Sequence, residues 1–469
     1  MRASRPYTYL GTVQGMCREC RALVPARLLE EDGVVYQERL CPTCGPARVR
    51  IADGVAWYLD RMATTVQCRP VRSPGGEVRD GCPHDCGPCR LHANACHLPV
   101  FSVTNACNMA CPICFTYNRP DRKYFMARAE LRALLDRLIA RTGPLDLINI
   151  TGGEPTLHPA ILDLLQECRR PEIGRVTMNT NGLRIADDEA LCRALVELGV
   201  YVVLSFDTFR ADRAQEIHGA DVIAAKRRAL ANLQRHGIGT TLLNVMIRGL
   251  NEDEIGEVIA LAQSHPVVRS VTVQTMTFTG HGGKNFRPRQ PMPLDGAAHA
   301  IETATGGLMR RGDFFAHAGA HPLCYSVAFY LKDGGRLHSL TGFFTVEELR
   351  QMLGHGYLLQ PGENSHEFFQ RAIDRLWADG DAENLLPAVR RLVERMYPPG
   401  RALTPAARQA IAEDAFLAVY LHSHMDEDTL DLARLQVCPD QVPDPDGRLI
   451  PACAYNLFYR EKDPRFWCG

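Results

Sequence analysis

The chain has 469 residues and a hydrophobic fraction of 46%, enough to bury a large core, so we expect more than one structural unit. Its 53 lysines and arginines nearly balance its 54 aspartates and glutamates, so no overall charge attracts nucleic acid or an acidic membrane surface. We find no N-terminal apolar segment and no run approaching roughly 18 apolar residues, and we therefore expect a cytoplasmic protein.

The first cysteines form two CxxC pairs separated by twenty residues, Cys17 with Cys20 and Cys41 with Cys44. Because thiols stay reduced in the cytoplasm, the 18 cysteines favour metal ligation over disulfides. The spacing of the two pairs suits four thiolates around one tetrahedral ion. Zinc and a single rubredoxin-like iron accept the same ligands, so both remain open. We assign residues 1–66 to this metal module.

A second cysteine group, Cys82, Cys86, Cys89 and Cys96, lies in a tight loop within residues 67–98. Proline and glycine residues bend the backbone there, which favours wrapping around a 4Fe-4S cluster over binding zinc. Cys324, Cys438, Cys453 and Cys468 form a dispersed fourth set in a C-terminal region, 281–469, and no motif supports this grouping. We expect Cys168 and Cys192 to be core residues and leave Cys68 unassigned.

The third group, Cys107, Cys111 and Cys114, follows a predicted strand at 100–103 in a Cx3Cx2C loop. Three ligands would leave one iron of a 4Fe-4S cluster open to a substrate or cofactor. Predicted strands then alternate with helices up to a sixth strand at 271–276, which we expect to close the series. Such alternation indicates a parallel α/β sheet.

Informative residues follow the carboxyl ends of these predicted strands, where parallel α/β folds bind ligands. Gly152, Gly153 and Glu154 follow the second strand, Asn179 ends the third, and the fourth ends with Ser205, Phe206 and Asp207. The sequence therefore predicts a single rim of cysteines, glycines and polar groups.

The Cx3Cx2C loop and the Gly-Gly-Glu-Pro motif together resemble the radical S-adenosylmethionine (SAM) superfamily over residues 99–280. The resemblance implies a partial (β/α)6 TIM-like barrel in which Cys107, Cys111 and Cys114 hold the catalytic 4Fe-4S cluster and SAM yields a 5′-deoxyadenosyl radical. It implies that Gly152, Gly153 and Glu154 hold the methionyl amine and that Phe115 lies near adenine. We expect Asn179, Ser205 and Asp207 to contact the cofactor as well.

A narrower resemblance rests on the N-terminal pairs, on Cys82-x3-Cys86-Gly-x-Cys89-x2-His92, and on the segment from Pro445 to Asn456. It is to the tetraether lipid synthase family, formerly labelled as pterin methyltransferases, which joins the methyl ends of lipid chains. It implies three 4Fe-4S clusters in total, one mononuclear metal, a lipid substrate and a reductant such as ferredoxin or flavodoxin. Peripheral membrane association would accompany such a substrate.

The sequence allows three functions. Lipid chain joining predicts a long aliphatic channel, whereas radical methylation or other modification of a pterin-like molecule or a peptide predicts converging hydrogen-bond donors and acceptors. A metal protein that binds nucleic acid through the N-terminal knuckles would need a basic surface, and residues 21–40 mix arginines with acidic residues.

Overall fold

The computed structural model describes residues 5–72, 78–87, 89–116, 123–287, 290–362, 365–380 and 385–466. Cys468, assigned above to the C-terminal cysteine set, lies outside these ranges. Across the ranges that are described, no helix combines the length and the apolar character that crossing a membrane requires.

The N-terminal residues form a four-stranded antiparallel sheet. Asp32 and Gly33 make the two-residue turn between the second and third strands, and both have positive φ angles, 52° and 79°. Asp-Gly suits this turn because aspartate tolerates the left-handed region and glycine has no Cβ to strain. The cysteine pairs lie in the two turns at the opposite end of the sheet. The elements are β1 Thr8–Met16, β2 Leu23–Glu31, β3 Val34–Cys41, β4 Gly45–Ala52 and α1 Val55–Met62.

The central residues form a parallel sheet in which strands and helices alternate, as the sequence predicts. Strand order follows chain order from β5 to β10, and two additional helices, α4 and α6, were not predicted. In chain order the elements are β5 Leu98–Thr104, α2 Arg128–Thr142, β6 Ile148–Gly152, α3 Ile161–Glu167, β7 Val176–Thr180, α4 Leu183–Asp187, α5 Glu189–Glu197, β8 Val200–Ser205, α6 Ala211–His218, α7 Ile223–Arg235, β9 Thr240–Met246, α8 Ile255–Ser264 and β10 Val268–Thr275.

Successive residues of these strands alternate between two environments. Ile148 and Ile150 of β6 are fully buried against the surrounding helices, whereas Asn149 and Thr151 point the other way and are half-buried. Cys168 and Cys192 are fully buried in the same apolar layer, which confirms their prediction as core residues. The hydrophobic core therefore lies outside the curved sheet, and the concave face encloses a cavity.

The sheet continues beyond β10, so the expectation that the strand at 271–276 closes the series was wrong. The strand β14 pairs in parallel with β10, and β12 pairs antiparallel with β14. About 140 residues separate β10 from β14 in the chain, a distance over which a local strand–helix pattern gives no signal. The C-terminal elements are α9 Gly280–Gly283, α10 Leu294–Ala304, β11 Phe315–Ala316, β12 Tyr325–Asp333, β13 Arg336–Ser339, α11 Val346–Leu353, α12 Ser365–Ala378, α13 Leu385–Met396, α14 Pro405–Ala415, β14 Phe416–His422, α15 Leu432–Gln436, β15 Asp440–Pro443, β16 Leu449–Pro451, α16 Ala452–Ala454 and a π-helical turn Tyr455–Tyr459.

The complete sheet has the order β11-β12-β14-β10-β9-β8-β7-β6-β5-β15-β16, with β13 beside β12. The strands β12 and β15 therefore lie toward opposite sides of the curved sheet. The helices α11 to α14 pack on β11, β12 and β14 through an apolar cluster of their own, which includes Phe344, Phe369 and Leu392.

Candidate active site

The loop after β5 places three thiols at one end of the cavity enclosed by the sheet. Cys107, Cys111 and Cys114 are half-buried and line this cavity, whose volume is about 400 Å³. Burial raises the pKa of the Cys107 thiol to about 11 and that of Cys111 to about 12, and the neighbouring Cys114 thiol contributes. Burial therefore favours the protonated form of the Cys107 and Cys111 thiols, and binding a metal cluster must release those protons.

Most of the residues predicted to bind the cofactor line the same cavity. Its wall includes Phe115, Gly152, Gly153, Glu154, Asn179 and Ser205 together with the three thiols. The side-chain oxygen of Asn179 is buried and finds no hydrogen-bond donor in the described part of the chain, so a ligand in the cavity would satisfy it. The three thiols, the glycine backbone at 152–153 and the unpaired oxygen of Asn179 fit a bound cluster and cofactor.

Asp207 does not line the cavity, so its predicted contact with the cofactor is not supported by its position. Its carboxylate is 2% exposed and accepts a hydrogen bond from the backbone N–H of Val245. His218 Nε2 lies 3.1 Å from Asp207 Oδ2, and His218 Nδ1 lies 3.8 Å from the sulfur of Cys111. The aspartate therefore lies behind the cluster loop, beside a histidine that contacts a cluster-loop cysteine.

Glu154 ties two loops of the cavity wall together. Its carboxylate accepts hydrogen bonds from the hydroxyls of Thr156 and Thr180 at 2.6 and 2.8 Å and from the backbone N–H groups of Thr156 and Asn181 at 3.1 and 2.7 Å. Burial raises the pKa of this carboxyl, although these hydrogen bonds oppose the rise. Glu154 thereby fixes the loop after β6 against the loop after β7.

The two glycines before Glu154 let the loop after β6 approach the cluster loop closely. The N–H of Gly153 donates to the carbonyl of Thr104, and that of Glu154 donates to the carbonyl of Ala106, both at 2.7 Å. A Cβ on Gly153 would lie 2.3 Å from the carbonyl oxygen of Ala106, well inside contact distance. Residues 104–106 lead directly into Cys107, so this contact sets the position of the first ligand.

We therefore expect Gly153→Ala to lower both stability and iron loading. Overpacking of this kind costs typically 1–3 kcal/mol, and relief of the clash would move the backbone that leads into Cys107. Thermal unfolding and iron per chain after anaerobic reconstitution measure both effects. Gly342→Ala is the matched control, because a Cβ there meets no atom within 4 Å. Wild-type melting and iron content in Gly153→Ala would contradict the assigned role.

The four N-terminal cysteines converge on one point. The sulfur atoms of Cys17, Cys20, Cys41 and Cys44 all lie within 4.8 Å of one another. Backbone N–H groups of Cys44 and Thr43 lower the pKa of the Cys41 thiol to about 7, which favours the thiolate that a metal requires. Four convergent sulfurs fit a tetrahedral zinc or iron ion.

In the second cysteine group, Cys82, Cys86 and Cys89 lie close together. The thiols of Cys82 and Cys86 contact each other, and that of Cys89 lies close enough to Cys86 to influence its ionisation. Cys96 is 2% exposed in the core of the parallel sheet, beside a small cavity that it shares with Gly87. The hydroxyl of Tyr459 accepts the N–H of Cys86 at 2.9 Å and so anchors this loop to the C-terminal turn.

The described members of the C-terminal cysteine set are neighbours. The thiols of Cys324 and Cys453 both influence the ionisation of Cys438, whose pKa burial raises well above its usual range. The guanidinium of Arg434, 6% exposed, donates to the sulfur of Cys324 at 3.4 Å. This buried cation, which no motif predicted, would offset the negative charge of thiolates gathered here.

Sequence reasoning also missed a polar network on the cavity wall. Asp440 accepts hydrogen bonds from the hydroxyls of Tyr325 and Tyr357, and burial raises the pKa of its carboxyl to about 6. Tyr325 follows Cys324 directly and Asp440 comes two residues after Cys438, so proximity to those cysteines was a usable signal. Tyr357 lies in a loop between helices, and no sequence signal pointed to it.

The fold and the loop of three cysteines define a radical SAM enzyme, and comparison with known families agrees. Residues 101–262 match the Radical SAM superfamily, and residues 9–53 match the HMPTM N-terminal zinc ribbon domain. The first match contains Cys107, Cys111, Cys114 and the Gly-Gly-Glu motif, and the second contains the four convergent N-terminal cysteines. Residues 101–262 therefore form a radical SAM domain.

Similar proteins include one that matches along almost the whole chain. The 7,8-dihydro-6-hydroxymethylpterin dimethyltransferase of Methanocaldococcus jannaschii is 24% identical, covering 95% of this chain and 93% of that protein. A GTP 3′,8-cyclase of Chlorobaculum tepidum is 35% identical over 37% of this chain and 52% of that protein. The solved structure of SuiB from Streptococcus suis bound to precursor peptide SuiA has a TM-score of 0.39 at 18% identity, over 47% of this chain and 48% of that one.

Proposed function

We propose that this radical SAM enzyme modifies a carbon centre of a small, flat, polar heterocycle of the pterin class, held inside the sheet. The observation that carries the proposal is the chemistry of the cavity wall. Inward-facing residues of the strands β6 to β10 are mainly amides and hydroxyls: Asn149, Thr151, Thr177, Asn179, Ser205, Thr241, Thr272 and Gln274. These side chains offer converging donors and acceptors to the edge of a polar ring.

Aromatic side chains supply the other half of a site for a flat ring. Tyr201, Tyr325, Tyr357, Tyr420, His422 and Phe115 line the same cavity. The rings of Tyr325 and His422 are stacked with centroids 3.9 Å apart and planes 11° apart. Aromatic faces bind the faces of a heterocycle while amides and hydroxyls bind its edge, a combination that suits a pterin.

Lipid chain joining, which the sequence resemblance implies, fits this wall less well. A polymethylene chain lying against the strands would offer no donor to the buried side-chain oxygen of Asn179, which has none within the described residues. Each buried polar group left unpaired costs about 1–3 kcal/mol. The polar side chains of the strands therefore favour the polar alternative, although the apolar side chains of Leu147, Leu243 and Leu358 line the same cavity.

Different residues of the chain would hold the cluster and fix the backbone beside it. Cys107, Cys111 and Cys114 would hold the 4Fe-4S cluster, and Gly153 and Glu154 fix the backbone beside it. When bound and reduced, the cluster and SAM supply the carbon radical that removes a hydrogen atom from the substrate. The enclosing sheet limits access of water to that reaction.

The remaining assignments also stand as proposals. We assign residues 1–66 to the metal module, 67–98 to a first auxiliary 4Fe-4S cluster, 99–280 to the radical SAM barrel and 281–469 to a second auxiliary cluster. The ligands of the second are Cys324, Cys438, Cys453 and Cys468. The electron for SAM cleavage comes from a small redox protein such as ferredoxin or flavodoxin.

Substrate-dependent cleavage of SAM tests the proposed function. Anaerobically reconstituted enzyme with dithionite and SAM would be given 7,8-dihydro-6-hydroxymethylpterin in one reaction and a dispersed diacyl phospholipid in another. We expect the pterin to raise 5′-deoxyadenosine formation above the substrate-free rate and the lipid to leave it unchanged. Stimulation by the lipid alone would reverse the assignment in favour of chain joining.

A further inference from the structure

The cavity contains one carboxylate that neither the cluster loop nor the Gly-Gly-Glu motif uses. Asp440 begins β15, is 3% exposed and lines the cavity. One carboxylate oxygen accepts the hydroxyl of Tyr325 at 2.5 Å, and the other accepts the hydroxyl of Tyr357. The two tyrosines reach it from β12 and from the loop after α11, so its position is fixed from two directions.

Aromatic rings flank this carboxylate. Tyr325 stacks on His422, and Tyr357 stacks on His317 with centroids 5.1 Å apart and planes 18° apart. The hydroxyls that bind Asp440 are at the tips of these stacked rings. The carboxylate therefore lies at the end of aromatic surfaces, where the edge of a ring held against them would reach it.

The charge of Asp440 is not matched by a lysine or an arginine. Within the described residues its only ion-pair contact is with His422 Nε2, at 3.7 Å. Its two oxygens have about four lone-pair sites, and the tyrosine hydroxyls occupy two of them. A ligand with two adjacent N–H donors would fill the rest and satisfy a buried carboxylate that is otherwise short of donors.

We propose that Asp440 is the specificity-determining residue of the substrate site and accepts the paired N–H groups of an aminopyrimidinone edge. In a pterin these donors are the ring N–H and the adjacent exocyclic amine. Tyr325 and Tyr357 are positioning residues that hold the carboxylate in the plane of the ring. The inference rests on the proposed function, since it names the contact by which that substrate class is recognised.

A purely structural role makes a different prediction. Tyr325 and Asp440 belong to strands on opposite sides of the curved sheet, so their hydrogen bond also links those sides. If that link were the whole role of Asp440, replacing it would affect stability and would weaken every ligand of the cavity equally. Recognition of a donor pair instead makes the effect depend on the ligand.

The test compares two ligands on full-length, metal-loaded protein by anaerobic equilibrium dialysis. The probes are 7,8-dihydro-6-hydroxymethylpterin and the analogue that lacks the exocyclic amine. For Asp440→Asn we expect roughly 10- to 100-fold weaker binding of the pterin, because the asparagine N–H₂ would face the ligand's own donors. The wild-type protein should bind the analogue weakly, and Asp440→Asn should change that binding little. Tyr357→Phe keeps the carboxylate and should lose less affinity than Asp440→Asn.

The outcomes separate this inference from the proposed function. Equal affinity of the wild-type protein for the two probes would overturn the role of Asp440. This comparison uses only the wild-type protein, so it remains valid even if Asp440→Asn does not fold. Tight pterin binding by Asp440→Asn would likewise overturn the inference alone. A wild-type protein that binds neither probe would overturn the proposed function together with it.

Discussion

Replacing Cys107, Cys111 or Cys114 singly by alanine is expected to abolish formation of 5′-deoxyadenosine. Only three thiols of the loop after β5 line the cavity, and a cluster that already leaves one iron for the cofactor loses a second iron ligand in each variant. Iron content and the anaerobic yield of 5′-deoxyadenosine measure the loss, which we expect to be complete within detection.

Cys68→Ser is the control for these variants. Cys68 is half-buried and belongs to none of the proposed ligand sets, so its replacement should leave the yield unchanged. Substantial 5′-deoxyadenosine from any one of the three alanine variants would contradict the assignment of the loop as the cluster site.

We expect removal of a metal bound by the N-terminal cysteines to destabilise more than the N-terminal sheet. The buried guanidinium of Arg39, on β3, donates to the carbonyl of Glu427 at 2.8 Å and to the carboxylate of Asp428 at 2.9 Å. Gln37 donates to the carbonyl of Leu430 at 2.9 Å. This contacted segment leads into the helix that carries Arg434 and then to Cys438. The metal module thereby supports the C-terminal cysteine set.

For Cys41→Ser we therefore expect a loss of stability on the order of 4–5 kcal/mol or more, the scale of losing a structural metal. Thermal unfolding should begin at a lower temperature, and iron bound beyond the catalytic cluster should fall. Thr43→Ala is the matched control, because only the backbone N–H of Thr43 influences the Cys41 thiol. An unchanged melt together with unchanged zinc and iron in Cys41→Ser would refute the supporting role.

The parallel sheet was predictable because its signals are local. Residues Leu131, Leu134, Leu135 and Leu138 recur at helical spacing, and all four are buried against the sheet. The Cx3Cx2C loop and the Gly-Gly-Glu motif each lie within a few residues of a strand end, so chain position alone placed them on one rim. The strand β14 was missed because its partner, β10, is remote in sequence.

The position of Asp207 outside the cavity wall has a physical explanation. The prediction placed this residue at the end of the fourth strand, but β8 ends at Ser205, and strand geometry does not determine the side-chain direction beyond that point. The side chain instead turns toward His218 and the backbone of Val245. Asp440 and Tyr357 come together only in the folded chain, so no sequence spacing could reveal that contact.

Deuterium transfer tests the central claim most directly. The reconstituted enzyme would be incubated with SAM, reductant and 7,8-dihydro-6-hydroxymethylpterin deuterated at its carbon-bound positions, and the 5′-deoxyadenosine would be analysed by mass spectrometry. The account predicts deuterium in the 5′-deoxyadenosine, since the hydrogen that it gains comes from a carbon of the bound pterin. The account would be contradicted if 5′-deoxyadenosine formed but contained no deuterium, whichever carbon-bound position of the pterin carried the label.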